Sequence, residues 1–480
     1  MATMLIGDQT VAARSGTQLE IIDPATEEPI DTVPDAGAED VDLAVQEARR
    51  AFPEWSRRDA EERASIVRDG LRSIREHADE IADTLVHEQG KPTIEARGEL
   101  NHFLHGMEFY ADLASKIRGS YQDLPSALGP SYGLTTRRPL GVVGAIVPYN
   151  YPLTLMGTKL GPALITGNTI VVKPADTTPL ATLKVAQYLL EAGVPPGVLN
   201  VVTGRGAGAG EALVAHPDVR RIAFTGSTAT GRRIIEVAGP LFKRVTLELG
   251  GSDPVIVCPD ADLDKAAKSV LIGRFWNAGQ SCLAIKRAYV FSEIYEEFLD
   301  RIVAGAERYE PGPGWTKAEK PKIRIGPLNT KAQRDKVQDQ LERSLEQSGK
   351  VLLGGTTEND NGFFFPATIV TEAGHDSPLV SEEVFGPVLP VFRVDTIDQA
   401  IELANSSPYG LGSSVWTNDV RLINKASREI EAGMTWVNQI HFGYDELPFG
   451  GTKQSGIGKE HGAEALDDYT DLKSVVVGGL

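Results

Sequence analysis

Between residues 142 and 257 the sequence repeats one pattern: a short apolar, β-branched run, then a longer segment with apolar residues at helical spacing. The runs fall at 142–147, 169–173, 199–203, 221–225, 243–249 and 254–257, and the helical segments between them at 152–166, 179–192, 207–215 and 227–237. Runs that are apolar at nearly every position have no polar face, so both faces of each strand must be covered. Strand and helix alternating at this spacing predict βαβ units around a buried parallel sheet. A second alternating block follows, with helices near 263–275, 293–309, 331–347 and 397–404 and strands near 288–291, 351–353, 366–369, 388–394 and 413–416. The fold class that satisfies both blocks is α/β, with two parallel-sheet domains in one chain.

Residues 39–113 carry Val41, Leu43, Ala44 and Ala48, then Ile66, Leu71, Ile74 and Ile81, at the spacing of several amphipathic helices. Residues 121–138 turn polar, with Gly129-Pro130 and Tyr132-Gly133, and predict an extended hairpin arm outside the core. Residues 139–158 hold no charge, yet Pro139, Pro148 and Pro152 and the polar Tyr149-Asn150 punctuate them. They predict a buried strand, a turn and a helix starting near Pro152 rather than a membrane span. The first twenty residues lack the basic and apolar regions of a secretory signal. With 48 basic and 66 acidic side chains the net charge is −18, which argues against nucleic acid or an anionic membrane as a partner. The expectation is a cytoplasmic protein with a small-molecule partner.

Two cysteines, Cys258 and Cys282, exclude a disulfide framework and a four-cysteine metal centre. Cys258 ends the apolar run Val255-Ile256-Val257 and suits a core thiol, whereas Cys282 follows Asn277-Ala278-Gly279-Gln280-Ser281 in a loop, where a thiolate can act as a nucleophile. Glu248 sits in the apolar Leu247-Glu248-Leu249 before two glycines, as a solvent-facing strand end or as a buried carboxylate suited to general base work. Asn150 lies where a parallel strand ends, as a turn residue or as an amide donor to an oxyanion. Gly226, Ser227 and Gly231 open a helix after a strand; the spacing is GxxxxG rather than GxGxxG, and the glycines either terminate the strand or admit a phosphate. Together the four features match one reaction. A thiolate adds to an aldehyde, the oxyanion is held, a hydride leaves to a nicotinamide, and water activated by the carboxylate cleaves the thioester. His102 and His105 lie three apart on a helix, but no HExxH or paired-cysteine companion accompanies them, so no metal site is expected.

The sequence resembles the aldehyde dehydrogenase superfamily over essentially its whole length, with PYNYP, KPAD, FTGSTATG, LELGG, FWNAGQSC, EEVFGPV and PFGGTKQSGIGKE in family order. The resemblance implies Cys282 as the nucleophile, Glu248 as the base for deacylation, and Asn150 with the Cys282 N–H as the oxyanion hole. It implies Lys173 on the adenine-side ribose, Gly226, Ser227 and Gly231 at the pyrophosphate, and Glu383 and Phe385 at the nicotinamide ribose and ring. Lys159 and Glu460 align with a proton-relay pair. The implied architecture is a dinucleotide-binding domain (1–121 and 139–249), a catalytic domain (250–450), and an arm and tail (122–138 and 451–480) that join a neighbouring subunit in a homo-oligomer, a dimer or tetramer.

Many NAD-using members have a glutamate three residues after the lysine; here it is Asp176, which repels a 2′-phosphate but leaves more room. NAD is therefore expected, with NADP possible, and Arg205 either pairs with a 2′-phosphate or is a solvated loop residue. Ser281 and Thr158 stand where branches acting on anionic aldehydes carry arginine. The pocket mouth is expected from Tyr149, Met156, Leu283, His441, Phe442, Tyr444 and Phe449, which suits a small or medium apolar, hydroxylated or aromatic aldehyde. The alternatives are a semialdehyde dehydrogenase acting on an acidic aldehyde, a coenzyme A-acylating member, which Glu248 disfavours, and a non-catalytic member.

Overall fold

In the computed structural model, which describes residues 2–125, 130–356 and 361–478, the first alternating block forms the parallel body of an eight-stranded sheet. Its strands are Val142–Ile146, Thr169–Lys173, Leu199–Val201, Val219–Thr225 and Arg244–Glu248. Successive side chains point to opposite faces, as the strand period requires. Val143 and Ala145 enter a core under the helices Ala60–Glu76, Thr93–Asp112, Pro152–Ile165 and Leu180–Glu191, whereas Val142, Ile222, Phe224 and Leu247 enter another under Ala38–Arg57 and Thr228–Ala238. The edges are antiparallel: Met4–Ile6 and Gln9–Val11 close one side and Gly456–Ile457 the other. These short edge strands give no readable period, so only the interior of the sheet was anticipated.

The second block forms a seven-stranded sheet from Lys350–Leu353, Thr368–Thr371, Val388–Val394, Ile285–Phe291, Asp253–Val257, Gly412–Trp416 and Met434–Val437, in that spatial order. All pairs are parallel except Lys350–Leu353 with Thr368–Thr371. The helix read at 293–309 is shorter, Tyr295–Ala306, and Tyr309–Pro311 is a strand. The helix read at 207–215 opens as a wider π-type turn, Gly206–Gly210, before Glu211–Ala215.

The arm is a three-stranded antiparallel sheet of Ser120–Leu124, Ser131–Pro139 and Thr470–Gly478. Its hairpin turn, including Gly129, lies outside the described residues. Among the described residues no helix is long and apolar enough to cross a membrane; the uncharged stretch is divided into the strand Val142–Ile146 and the helix Pro152–Ile165.

Register places the site. Ile146 pairs with Lys173 and with Phe224, and Thr225 with Glu248, so the strands end level with one another. The parallel strands run 199–169–142–219–244 across the sheet. The order therefore reverses direction between Val142–Ile146 and Val219–Thr225. Ligands of open α/β sheets bind outside the carboxyl ends at such a reversal, here between the Asn150 turn and the Gly226 turn.

The helix Pro152–Ile165 reaches this edge by packing closely on Thr93–Asp112 through two glycines. A Cβ on Gly161 would stand 2.5 Å from the Tyr110 ring, and one on Gly157 2.9 Å from Phe103. Gly161→Ala is expected to cost about 1–3 kcal/mol by overpacking, read as a lower thermal midpoint. A midpoint equal to or above wild type would refute this close approach.

Candidate active site

Glu248 is the last residue of its strand and is buried, with no hydrogen-bond partner for either carboxylate oxygen among the described residues. Burial raises its pKa well above the ordinary carboxylate range; Glu460 adds to the effect, while Lys159 and Lys459 oppose it. The carboxyl lies against bare backbone, since a Cβ on Gly450 would stand 2.5 Å from its Oε1. Beside it, the fully buried Lys159 ammonium lies 2.7 Å from Glu460 Oε1 and donates to Thr225 Oγ1 at 2.8 Å. Thr158 donates its hydroxyl to Glu460 Oε2 at 3.0 Å.

Cys282 lies beyond a turn that its own backbone disfavours. Asn277 and Ala278 both have a φ of +53°, the left-handed region, which costs roughly 1–2 kcal/mol per non-glycine residue. Side chains from three other segments hold it. Glu95 Oε2 accepts from the Asn277 N–H at 2.8 Å, and Asn277 Nδ2 donates to the Asn150 carbonyl at 2.9 Å. The Asn150 amide donates to the Gln280 carbonyl at 3.1 Å. The buried Arg274 guanidinium donates to the carbonyls of Gly279, Val384 and Gly386, tying the turn to the segment that carries Glu383 and Phe385. Burial pushes the Cys282 thiol up to about 12, against the opposing charge of Lys286. Cys258 is a fully buried core thiol.

The carboxyl edge of the first sheet suits a dinucleotide. Lys173 ends its strand buried, its pKa lowered by burial and supported by Asp176 and Asp35. Asp176 is exposed beside it. Arg205 pairs with Asp35 at 2.6 Å. Ser227 caps the helix Thr228–Ala238 by accepting from the Thr230 N–H at 3.2 Å, and the start of that helix carries the positive end of its dipole. A Cβ on Gly231 would stand 2.6 Å from Leu249 and one on Gly226 2.5 Å from Phe224, so both glycines bring backbone and neighbours together. Glu383 Oε1 accepts from the Gly251 N–H at 3.0 Å, and the Phe385 ring meets Tyr149 edge-on at 6.1 Å.

The sequence model of the aldehyde dehydrogenase family matches residues 10–475. The chain belongs to the aldehyde dehydrogenase family. It is 40% identical to the phenylacetaldehyde dehydrogenase of Pseudomonas fluorescens, covering 99% of this chain and 95% of that one. It is 35% identical to an NADP(+) succinate-semialdehyde dehydrogenase of Escherichia coli (strain K12), over 99% of this chain and 97% of that one. An aldehyde dehydrogenase from Bacillus cereus, solved as an NAD+ complex, superposes with a TM-score of 0.94 at 39% identity, covering 99% of this chain and 96% of that chain. The α/β fold expected from the sequence is the fold of these structures.

The residues read for the substrate side of this aldehyde dehydrogenase fall into two groups. Tyr149, next to Asn150, and Ser281, next to Cys282, are half-buried, and Phe449 is buried and bridged to Glu460 through both backbones (N···O 2.7 and 2.8 Å). Met156 lies deeper, and His441 is buried against Leu283, the residue that follows Cys282. Met156 is fully buried in the helical core with Phe103 and Met107, because the second turn of its helix faces Thr93–Asp112 rather than the loops. The His441 ring is closed off by stacking on Trp436 at 4.6 Å, and its Nδ1 lies 3.1 Å from the Leu283 carbonyl. His102 and His105 face Asp445 together with His461; His105 Nδ1 and His461 Nδ1 lie 2.7 and 2.9 Å from its oxygens.

Residues that sequence reasoning missed sit beneath this site. Lys91 and Glu99 form a completely buried ion pair, and the Lys91 ammonium also donates to the Asn150 carbonyl at 2.8 Å. Glu99 Oε1 accepts from the Leu153 N–H at 2.8 Å, fixing the start of Pro152–Ile165. The available signal was two glutamates, Glu95 and Glu99, among the apolar positions of the helix Thr93–Asp112, with a lysine just before it. Lys91→Met leaves Glu99 buried and unpaired, with an expected cost of about 3–5 kcal/mol. Lys91→Met combined with Glu99→Leu is expected to recover part of this in thermal melts. Equal stability of the single variant and wild type would remove the pair's assigned weight.

Proposed function

We propose that this chain oxidises an aldehyde to the carboxylic acid with NAD(P)+ through a cysteine thiohemiacetal and thioester. The observation that carries the reading is the convergence of a half-buried thiol, an amide bonded to the same turn, and a buried, unpartnered carboxyl beside an ion pair. The Cys282 thiolate adds to the carbonyl carbon, and the negative oxygen takes hydrogen bonds from the Cys282 N–H and from the Asn150 N–H not spent on Gln280. A bound dinucleotide would supply the hydride acceptor, and loss of the hydride from the carbon on Cys282 would leave a thioester there. Glu248 then takes a proton from water as that water adds to the thioester carbon; collapse releases the carboxylic acid and returns the thiolate. Glu460, Lys159 and Thr225 offer the proton a route away from Glu248.

Lys173, Gly226, Ser227 and Gly231 would hold the adenine-side ribose and pyrophosphate, and Glu383 and Phe385 the nicotinamide ribose and ring. Asp176, together with Arg205 already paired to Asp35, supports NAD over NADP. The pocket mouth, with Tyr149, Phe442, Tyr444 and Phe449 and with Ser281 and Thr158 in place of arginine, supports an apolar, hydroxylated or aromatic aldehyde. The phenylacetaldehyde dehydrogenase among the relatives agrees with that class. The arm, the exposed Leu472 and Val476 on its third strand, and the edge they present support a homo-oligomer.

The test is an aldehyde panel followed by NADH and NADPH absorbance. Aromatic and medium apolar aldehydes are expected to be turned over with a higher kcat/KM for NAD than for NADP, and Cys282→Ala to be inactive. Cysteine-independent turnover, or none with any aldehyde, would reject the reading.

Glu248→Gln is expected to lose about a hundredfold or more in kcat and to accumulate an acyl group on Cys282, visible by intact mass. Full turnover in this variant would sink the role of Glu248.

Both groups must lose a proton to act, and burial raises both pKa values. Activity is therefore expected to rise with pH above neutrality. A rate that falls across that range would contradict the assignment.

A further inference from the structure

Four residues past the nucleophile, in the strand Ile285–Phe291, stands Lys286, whose side chain is fully buried. A buried lysine is costly unless its donors are satisfied, and an ammonium has three. Here all three are spent on the nucleophile's own turn. Nζ donates to the carbonyls of Cys282 at 2.8 Å, Ser281 at 2.9 Å and, more weakly, Ala284 at 3.5 Å. Glu383 Oε1 lies 3.9 Å away. With its donors committed to backbone, Lys286 has none left for a carboxylate on the substrate, so substrate recognition does not explain its burial.

Two consequences follow for Cys282. The Ser281 carbonyl and the Cys282 N–H belong to one planar trans peptide, in which the two bonds point to opposite sides. An ammonium that draws the carbonyl towards itself therefore turns the N–H away from itself. Of the ionisable groups that act most strongly on the thiol, Lys286 favours the thiolate, and Glu248, Asp253 and Glu383, wherever they are ionised, oppose it. Without the cation, nothing in that set would favour a thiolate.

We infer that Lys286 is a positioning residue for the nucleophile: its ammonium gathers the Ser281 and Cys282 carbonyls, aims the Cys282 N–H at the forming oxyanion, and supplies the positive charge that the thiolate faces. This rests on the reading of Cys282 as the nucleophile. Glu383, which lies 3.9 Å from the Lys286 ammonium and accepts from the Gly251 N–H, links the same ammonium to the segment proposed to hold the nicotinamide ribose.

The test compares wild type with Lys286→Met, Lys286→Gln and Lys286→Arg. The readouts are the pH dependence of Cys282 alkylation by iodoacetamide, followed by intact mass, and steady-state kinetics. Lys286→Met and Lys286→Gln are expected to move the alkylation profile up by about one pH unit or more, and Lys286→Arg to leave it near wild type. In Lys286→Met, kcat is expected to fall by roughly tenfold or more, with a smaller change in KM for the aldehyde. A wild-type alkylation profile in both neutral variants overturns the proposal, even if kcat falls, because a merely structural lysine would give that result. If Lys286→Met does not fold, Lys286→Gln against Lys286→Arg carries the same comparison. Wild-type turnover in Cys282→Ala would instead reject the nucleophile reading, an outcome separate from any lysine variant.

Discussion

One backbone carbonyl, that of Asn150, joins the two halves of the site. Lys91 donates to it from one side and Asn277 Nδ2 from the other, at 2.8 and 2.9 Å. Asn150 follows a strand of the first sheet, and Asn277 precedes a strand of the second. The Asn150 side chain then returns a bond to the Gln280 carbonyl, two residues before Cys282. The Asn150 amide and the turn that leads to Cys282 therefore cannot shift independently. Catalytic groups need placement within about half an ångström, and two loops from two sheets reach that only through a shared, buried hydrogen-bond network.

Charge is distributed by the same logic. Buried ions are tolerable when paired or fully hydrogen-bonded. Lys91 has Glu99, Lys159 has Glu460, Lys286 has a ring of carbonyls, and Arg274 has four. Glu248 is the departure from this pattern, a buried carboxyl left without a hydrogen bond. Its burial makes the ionised form unfavourable, which is what strengthens it as a proton acceptor. Among the described residues the network spends its donors on keeping loops still and gives none to Glu248, the group proposed to take a proton from water.

Much of this was legible in the sequence, and for physical reasons. The helices Leu263–Phe275 and Lys331–Gln347 and the strands Thr169–Lys173 and Val388–Val394 follow from hydrophobic period alone. The thiol, the carboxyl and the amide stood out because each is a reactive group at an element boundary. Lys91, Glu95, Glu99, Arg274 and Lys286 did not, because a charged residue at a helical or strand position reads as solvated until its partner is known. Apart from the Lys91–Glu99 pair itself, their partners are backbone carbonyls and N–H groups, which leave no mark in a sequence. Met156, expected at the pocket mouth, is fully buried in the helical core for a related reason: sequence distance from Asn150 does not say which way a helical side chain faces, and Gly157 and Gly161 pack that helix closely on Thr93–Asp112.

The segment 449–460 shows how far apart in sequence the cooperating pieces lie. Thr452–Lys453 pairs with Tyr409–Gly410, and Gly456–Ile457 pairs with Leu247 and Glu248 at the edge of the first sheet. Phe449 and Glu460 close the loop by bonding to each other. This hairpin therefore wraps the end of the strand that carries Glu248. Gly450 presses bare backbone against one carboxylate oxygen, and Glu460 is presented close enough to raise the pKa of the same group. A side chain at position 450 would push the Glu248 carboxyl out of place, and a slip in the pairing at Gly456 would carry Glu460 away from Lys159. The environment of Glu248 is thus set by residues some two hundred positions downstream, through strand register and close packing rather than through any hydrogen bond the carboxylate makes among the described residues.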